Sequence, residues 1–172
     1  DQGEVYGLEF EFRRDLDAFG EWGSGWSIGT NLALIQSEVT IPEIELEQAR
    51  EFNPDFEDTR DLLGQSPFTF NTDLTYRMPD WGSVFTLDFN VIGERLILVN
   101  PGNFADVFEQ PRPTLNFIYS KEFRNDWKLK LSLKNILKPE REKIIDHNGD
   151  ELFYQVNETA RSISISATYL FQ

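Results

Sequence analysis

Long runs in which apolar and polar side chains alternate at period two constrain this chain more than any other feature. The last one is the clearest. Ile163, Ile165, Ala167, Tyr169 and Phe171 alternate with Ser162, Ser164, Ser166 and Thr168. Successive side chains of a strand point to opposite faces, so such a run makes a strand with one oily and one hydroxylated side. Trp127, Leu129, Leu131 and Leu133 alternate with Lys128, Lys130, Ser132 and Lys134 in the same way. Five further runs begin near Tyr6, Trp26, Phe68, Phe85 and Thr114. The expectation is about seven strands, most of roughly ten residues. That is longer than the five or six typical of globular proteins and matches the nine to eleven needed to cross a bilayer.

The connections alternate in length. Residues 42–65, 99–112 and 138–160 are long. Met78–Ser83 and Lys121–Asp126 are short and rich in turn formers, and Arg14–Gly25 is intermediate. In an up-and-down sheet this places the long loops at one end, as in outer-membrane barrels. Trp22, Trp26, Trp81 and Trp127 lie at or beside the short connections, where interfacial aromatics are expected, and Tyr169 and Phe171 fall at the same level. The competing view is that these rings plug the bottom of a soluble core. Pro42–Arg50, with proline at a first-turn position and early acids, predicts a short helix inside the first long loop.

Composition narrows the function classes. Thirty acidic residues stand against sixteen basic ones, a formal charge of −14, which argues against a nucleic-acid partner. There is no cysteine and one histidine, so disulfides, thiolate metal sites and His-based catalytic pairs are excluded. No catalytic constellation emerges; the expectation is a protein without enzymatic activity and without a cofactor. Asp146-His147-Asn148-Gly149-Asp150 reads as a hairpin tip. Asp146, Asn148 and Asp150 would be the ligands if that tip held a cation, but a calcium loop's bidentate Glu is missing. On the wet strand faces, Glu9, Glu11, Arg13, Asp73, Arg77, Asp88, Lys128, Lys130 and Lys134 are expected to share one side, the lumen of a barrel. The chain opens on Asp1 rather than Met, so a removed leader or a longer parent chain is expected.

The run Ser164 to Gln172 resembles the terminal strand of bacterial outer-membrane barrels, which assembly machinery reads. Ser164, Ser166, Tyr169 and Phe171 occupy the recognised positions; Ser166 stands where glycine is usual, and Gln172 extends one residue past the aromatic. More of the chain is similar to the C-terminal part of TonB-dependent receptors of the Bacteroidetes type. Gly64-Gln65-Ser66-Pro67-Phe68 with Asn71 and Tyr76, Phe89 to Arg95, Trp127 to Leu137, and Arg161 carry the likeness, with Ala160 in place of the usual glycine. The resemblance implies an all-β, antiparallel, up-and-down transmembrane barrel of about 22 strands, of which this chain holds about seven and no plug domain. It also implies energised uptake across the outer membrane. The partners would be lipid, the remaining barrel and plug, a TonB-type energy complex acting through that plug, and a surface lipoprotein. Two alternatives stay open at this stage: a smaller outer-membrane pore, and a soluble β-sandwich or lipocalin-like binding module, because a dry core face and a lipid face look alike in sequence.

Overall fold

The computed structural model describes the backbone of residues 2–100, 104–123, 126–147 and 150–171, and all of those side chains but 146, 147 and 150. The protein is all-β and antiparallel. In chain order its strands are β1 (Gly3–Asp15), β2 (Trp26–Thr40), β3 (Thr59–Arg60), β4 (Phe68–Met78), β5 (Ser83–Ile92), β6 (Arg95–Leu98), β7 (Val107–Glu109), β8 (Thr114–Glu122), β9 (Trp127–Lys134), β10 (Arg141–His147), β11 (Asp150–Asn157) and β12 (Ser162–Tyr169). One helix of two turns, α1 (Glu43–Arg50), follows Pro42 as the sequence predicts, and Arg50 donates from Nε and a terminal nitrogen to the carbonyl of Phe56.

Two sheets form. The larger runs β1-β2-β4-β5-β8-β9-β12, every neighbour antiparallel, with the short β3 pairing only with the end of β2. These seven long strands are the seven alternating runs. The smaller sheet, β11-β10-β7-β6, was not expected. It is assembled from the segments 99–112 and 138–160, read above as loops, together with Arg95–Leu98. Its β6 and β7 have only four and three residues, too few to display a period. They pair with each other, and the strand that joins β7 to the rest, β10, comes more than thirty residues later, so nothing local announces the sheet. The hairpin expected at Asn148-Gly149 is bracketed by β10 and β11, with His147 opposite Asp150; the two tip residues lie outside the described ones.

The larger sheet is sheared. Its first hairpin closes at Asp15 opposite Ser27, and the row through Ser27 continues to Thr75, Thr86 and Ile118. The second hairpin runs three residues past Thr75, to Met78 opposite Ser83. The third runs four past Ile118, to Glu122 opposite Lys128. The far ends step the same way, Ile92 standing six residues above Thr86 and Lys134 only two above Ser132. Strands therefore lean relative to the line through the turns, the stagger that a closed barrel requires.

The turns are stitched to neighbouring strands. Gly25, at φ 79°, gives its carbonyl to the amide of Arg77 at 2.8 Å. A Cβ there would stand 2.4 Å from the Arg77 carbonyl oxygen. Gly25→Ala is expected to cost about 1–2 kcal/mol from the left-handed backbone alone, more with the clash, read as a lowered denaturation midpoint.

The core sits away from the large sheet. Among the described residues the buried apolar side chains are Ile41, Ala49, Leu96, Val107 and Ile144. All five belong to the long-loop end, around α1 and the small sheet. There Arg60 grips Glu45 through two hydrogen bonds, of 2.5 and 3.1 Å, and the Gly64 amide bonds the Leu96 carbonyl at 2.7 Å. None lies on the seven-stranded path, so that sheet is a single layer without an apolar core of its own.

Candidate functional site

Register decides what each face of the large sheet presents, because residues directly opposite share a face. Leu8 faces Leu34, which faces Phe68. Ile28 faces Leu74, then Leu87, Phe117, Leu133 and Ile163 in one unbroken row. Tyr76, Phe85, Tyr119, Leu131 and Ile165 make the next row, and the rings of Phe85 and Tyr119 stack at 4.8 Å. The face is uncovered: Leu8 is 65% exposed, Phe10 56%, Leu87 40% and Ile165 71%. At 25 cal/mol per Å², an oily surface of this extent does not stay in water without a covering partner.

Midway along β2 and β4, Thr30 and Thr72 interrupt this face, the gaps in the alternation of those two strands. The register puts them directly opposite each other. Their hydroxyls lie 3.0 Å apart, and that of Thr72 also donates to the Gly29 carbonyl at 3.0 Å. Both gaps are thus satisfied from within the sheet. Sequence inspection missed the pairing, since two isolated threonines become a pair only once register is known.

The opposite face is mostly polar, with Val5, Ile35, Val84, Ile92 and Ile118 among its apolar members. Glu9, Glu11, Arg13, Asp73, Arg77, Asp88, Lys128, Lys130 and Lys134 all lie on it, as their opposite residues show. Several are engaged with one another's strands. Arg13 reaches Asp73 at 3.4 Å across β2. The crossing is open only because Gly29 lies beneath it: a Cβ there would stand 2.5 Å from the Asp73 carboxylate oxygen. Asn31 donates to Glu9 at 2.7 Å, Asn116 to Asp88 at 2.8 Å, Arg77 to Ser27 at 2.8 Å, and Lys128 pairs with Glu122 at 2.7 Å. Asn71 and Asn90 are also hydrogen-bonded. Lys130 and Lys134 stand opposite Ser166 and Ser162.

The two ends of the sheet differ. The four tryptophans gather at the turn end: Trp22 in a one-turn 3-10 helix after β1, Trp26 opening β2, Trp81 in the β4–β5 turn, Trp127 opening β9. Trp127 lies 5.1 Å from Tyr169, opposite it, and Tyr169 meets Phe171 edge-on at 4.8 Å. Ser164 and Ser166 point to the polar face of β12 and Tyr169 to the apolar one. The long-loop end holds α1 and the small sheet. In that sheet Glu109, 6% exposed, is clasped by Arg95, at 2.5 and 2.8 Å, and by Arg141. Burial pushes its carboxyl up, but the hydrogen bonds and charges of Arg141 and Arg95 outweigh it and hold the group below its ordinary value. A cavity of about 520 Å³ opens beside α1, lined by Phe56, Phe104, Phe108, Arg60 and Asp106 among others. Burial raises the Asp106 carboxyl, partly offset by the Asn100 amide at 2.9 Å.

No cluster of three metal-ligating side chains occurs among the described residues. The tip residues Asn148 and Gly149, and the side chains of Asp146 and Asp150, fall outside them, so the expected cation loop has no structural counterpart to weigh. No helix is long and apolar enough to cross a membrane, a test that does not bear on strands. In comparisons with known proteins, the chain matches no family model, no curated protein and no solved structure.

Proposed function

We propose that this chain forms wall and external loops of an outer-membrane β-barrel, the barrel of a TonB-dependent transporter for energised nutrient uptake, and takes no part in catalysis. The observation that carries this reading is the seven-stranded single layer whose apolar rows run unbroken from strand to strand with nothing laid over them. A soluble sandwich needs a second layer on that face, and the described residues supply none. In a bilayer the covering partner is lipid. The strand lengths, the shear, the tryptophans at one end and the long loops at the other support the same assignment.

Parity supports incompleteness. Seven alternating strands leave β1 and β12 running in the same direction, so they cannot close on each other as an antiparallel pair. An open edge in hydrocarbon leaves amides and carbonyls unpaired. Closure takes an odd number of further strands between the two edges; a barrel of about 22 would supply about fifteen. The polar face would line the lumen around a plug, and energy-complex contact would run through that plug. A lid-like surface lipoprotein over the long loops remains part of the proposal through resemblance alone.

The absence of cysteine makes the test clean, because each introduced thiol reports by itself. With the chain in lipid vesicles, Leu87→Cys, Phe117→Cys and Leu131→Cys are expected to react with a membrane-impermeant maleimide at least tenfold more slowly than Asn90→Cys and Asn116→Cys. Equal labelling of both sets sinks the assignment.

A further inference from the structure

The apolar face carries its own charge pattern. Within the strands, its turn-end margin holds two cations, Arg14 and Lys121, each one residue before its strand ends. They share this face because Arg14 stands opposite Ile28, and Lys121 opposite Leu129. The opposite margin holds the carboxylates Glu4 and Glu38, directly paired across β1 and β2. Between the margins the strands present only apolar side chains, the threonine pair and Gln36. Arg161, just before β12, gives its Nε–H to the Ile136 carbonyl.

Both cations are set among aromatic rings. The Arg14 guanidinium lies 6.0 Å from the Phe19 ring, itself 5.7 Å from Trp22. The Lys121 ammonium lies 5.9 Å from the Trp81 ring and 5.8 Å from Phe123, and donates to the Trp81 carbonyl. Phe19, Trp22 and Trp81 are all more than half exposed. Among the described residues neither cation has a carboxylate within salt-bridge distance, although acids outnumber bases almost two to one in the chain. Asp80 lines the same cleft as Lys121; Glu122 beside it is taken by Lys128. Other bases of the described residues lack an ion pair too; what sets these two apart is position, because they are the cations that the strands place on the oily face, each beside exposed rings.

We propose that Arg14 and Lys121 are docking points for the phosphate headgroups of anionic glycerophospholipids at the turn-end edge of the apolar face. This rests on the reading of that face as lipid-covered. The aliphatic stems lie along the oily surface while the charged heads reach outward, and the aromatic rings sit at the boundary between acyl chain and headgroup. Each cation gains a permanent partner, and the acidic margin is left for the side where such phosphates are not bound. A cation near an anionic lipid surface favours it by roughly fivefold.

Lipid retention tests this, with the whole chain in mixed micelles of a neutral detergent containing equal phosphatidylglycerol and phosphatidylcholine, read by native mass spectrometry. Preferential retention of phosphatidylglycerol is expected. It should drop by roughly fivefold for each cation removed in Arg14→Gln, Lys121→Gln and the double variant Arg14→Gln/Lys121→Gln, survive in Lys121→Arg, and be unchanged in Lys130→Gln/Lys134→Gln, which removes the same charge as that double variant but from the polar face. Circular dichroism confirms that each variant keeps its sheet. Equal losses in the two double variants would reduce the effect to net charge and overturn the proposal. Equal retention of both lipids by the unaltered chain would overturn it while leaving a lipid-covered face intact. Retention of neither lipid would overturn both.

Discussion

Leu87→Arg is expected to cost about 2–4 kcal/mol of unfolding free energy in a bilayer, the range for a cation on the lipid face of a barrel near its midplane. Leu87 sits mid-strand in the row from Ile28 to Ile163, with Leu74 and Phe117 opposite it. Three residues on, Asn90→Arg turns the same side chain toward the polar face. There the loss is about 1 kcal/mol, for the hydrogen bond with Asn71. The contrast matters more than either value. Were the apolar face simply wet, Leu87 at 40% exposure would be an ordinary surface position, and its replacement would fall within about 0.5 kcal/mol of neutral. Denaturant titration of both variants in vesicles separates these outcomes.

Glu109→Gln is expected to loosen the small sheet by about 2–3 kcal/mol. Removing the charge leaves Arg95 and Arg141 facing each other over a buried amide. Breaking a fully buried ion pair costs about 3–5 kcal/mol, and the effect here is smaller because both guanidinium groups are a third or more exposed. Since β6, β7 and β10 converge on this one carboxylate, the loss is local: amide exchange should accelerate in those strands and not in β4 or β5. The same group sets a pH dependence. Its folded value is held below the unfolded one, so its stabilisation is fully present above the unfolded carboxylate value and is lost as pH falls through the folded one. In the Gln variant that acid-side loss of protection in the small sheet should disappear.

The seven long strands could be read in advance because each strand alternates on its own account, whatever its neighbours. The turn ends were legible for a similar reason: Pro79, Asp80 and Gly82 impose a tight reversal locally. The small sheet was not legible. Leu96, Val107 and Ile144 are its buried apolar residues, yet they come from three separate segments, and only pairing across the chain sets Leu96 and Ile144 opposite Phe108, and Val107 opposite Ile145. The wet-face residues from Glu9 to Lys134 could be assigned to one side by parity alone. What parity cannot give is partnership: Arg13 with Asp73 depends on the two-strand crossing over Gly29, and Thr30 with Thr72 on register. Arg14 and Lys121 were hidden by position, because each reads as the first residue of a turn although the strand pairing continues one residue beyond it.

Whether acyl chains cover the oily face of the large sheet is decided by depth-resolved quenching: with the four native tryptophans replaced by phenylalanine, Leu87→Trp and Asn90→Trp are compared in vesicles of lipids brominated near the acyl ends. A lipid-covered face gives strong quenching at position 87 and weak quenching at 90. Equal, weak quenching at both would place position 87 outside the hydrocarbon and contradict it.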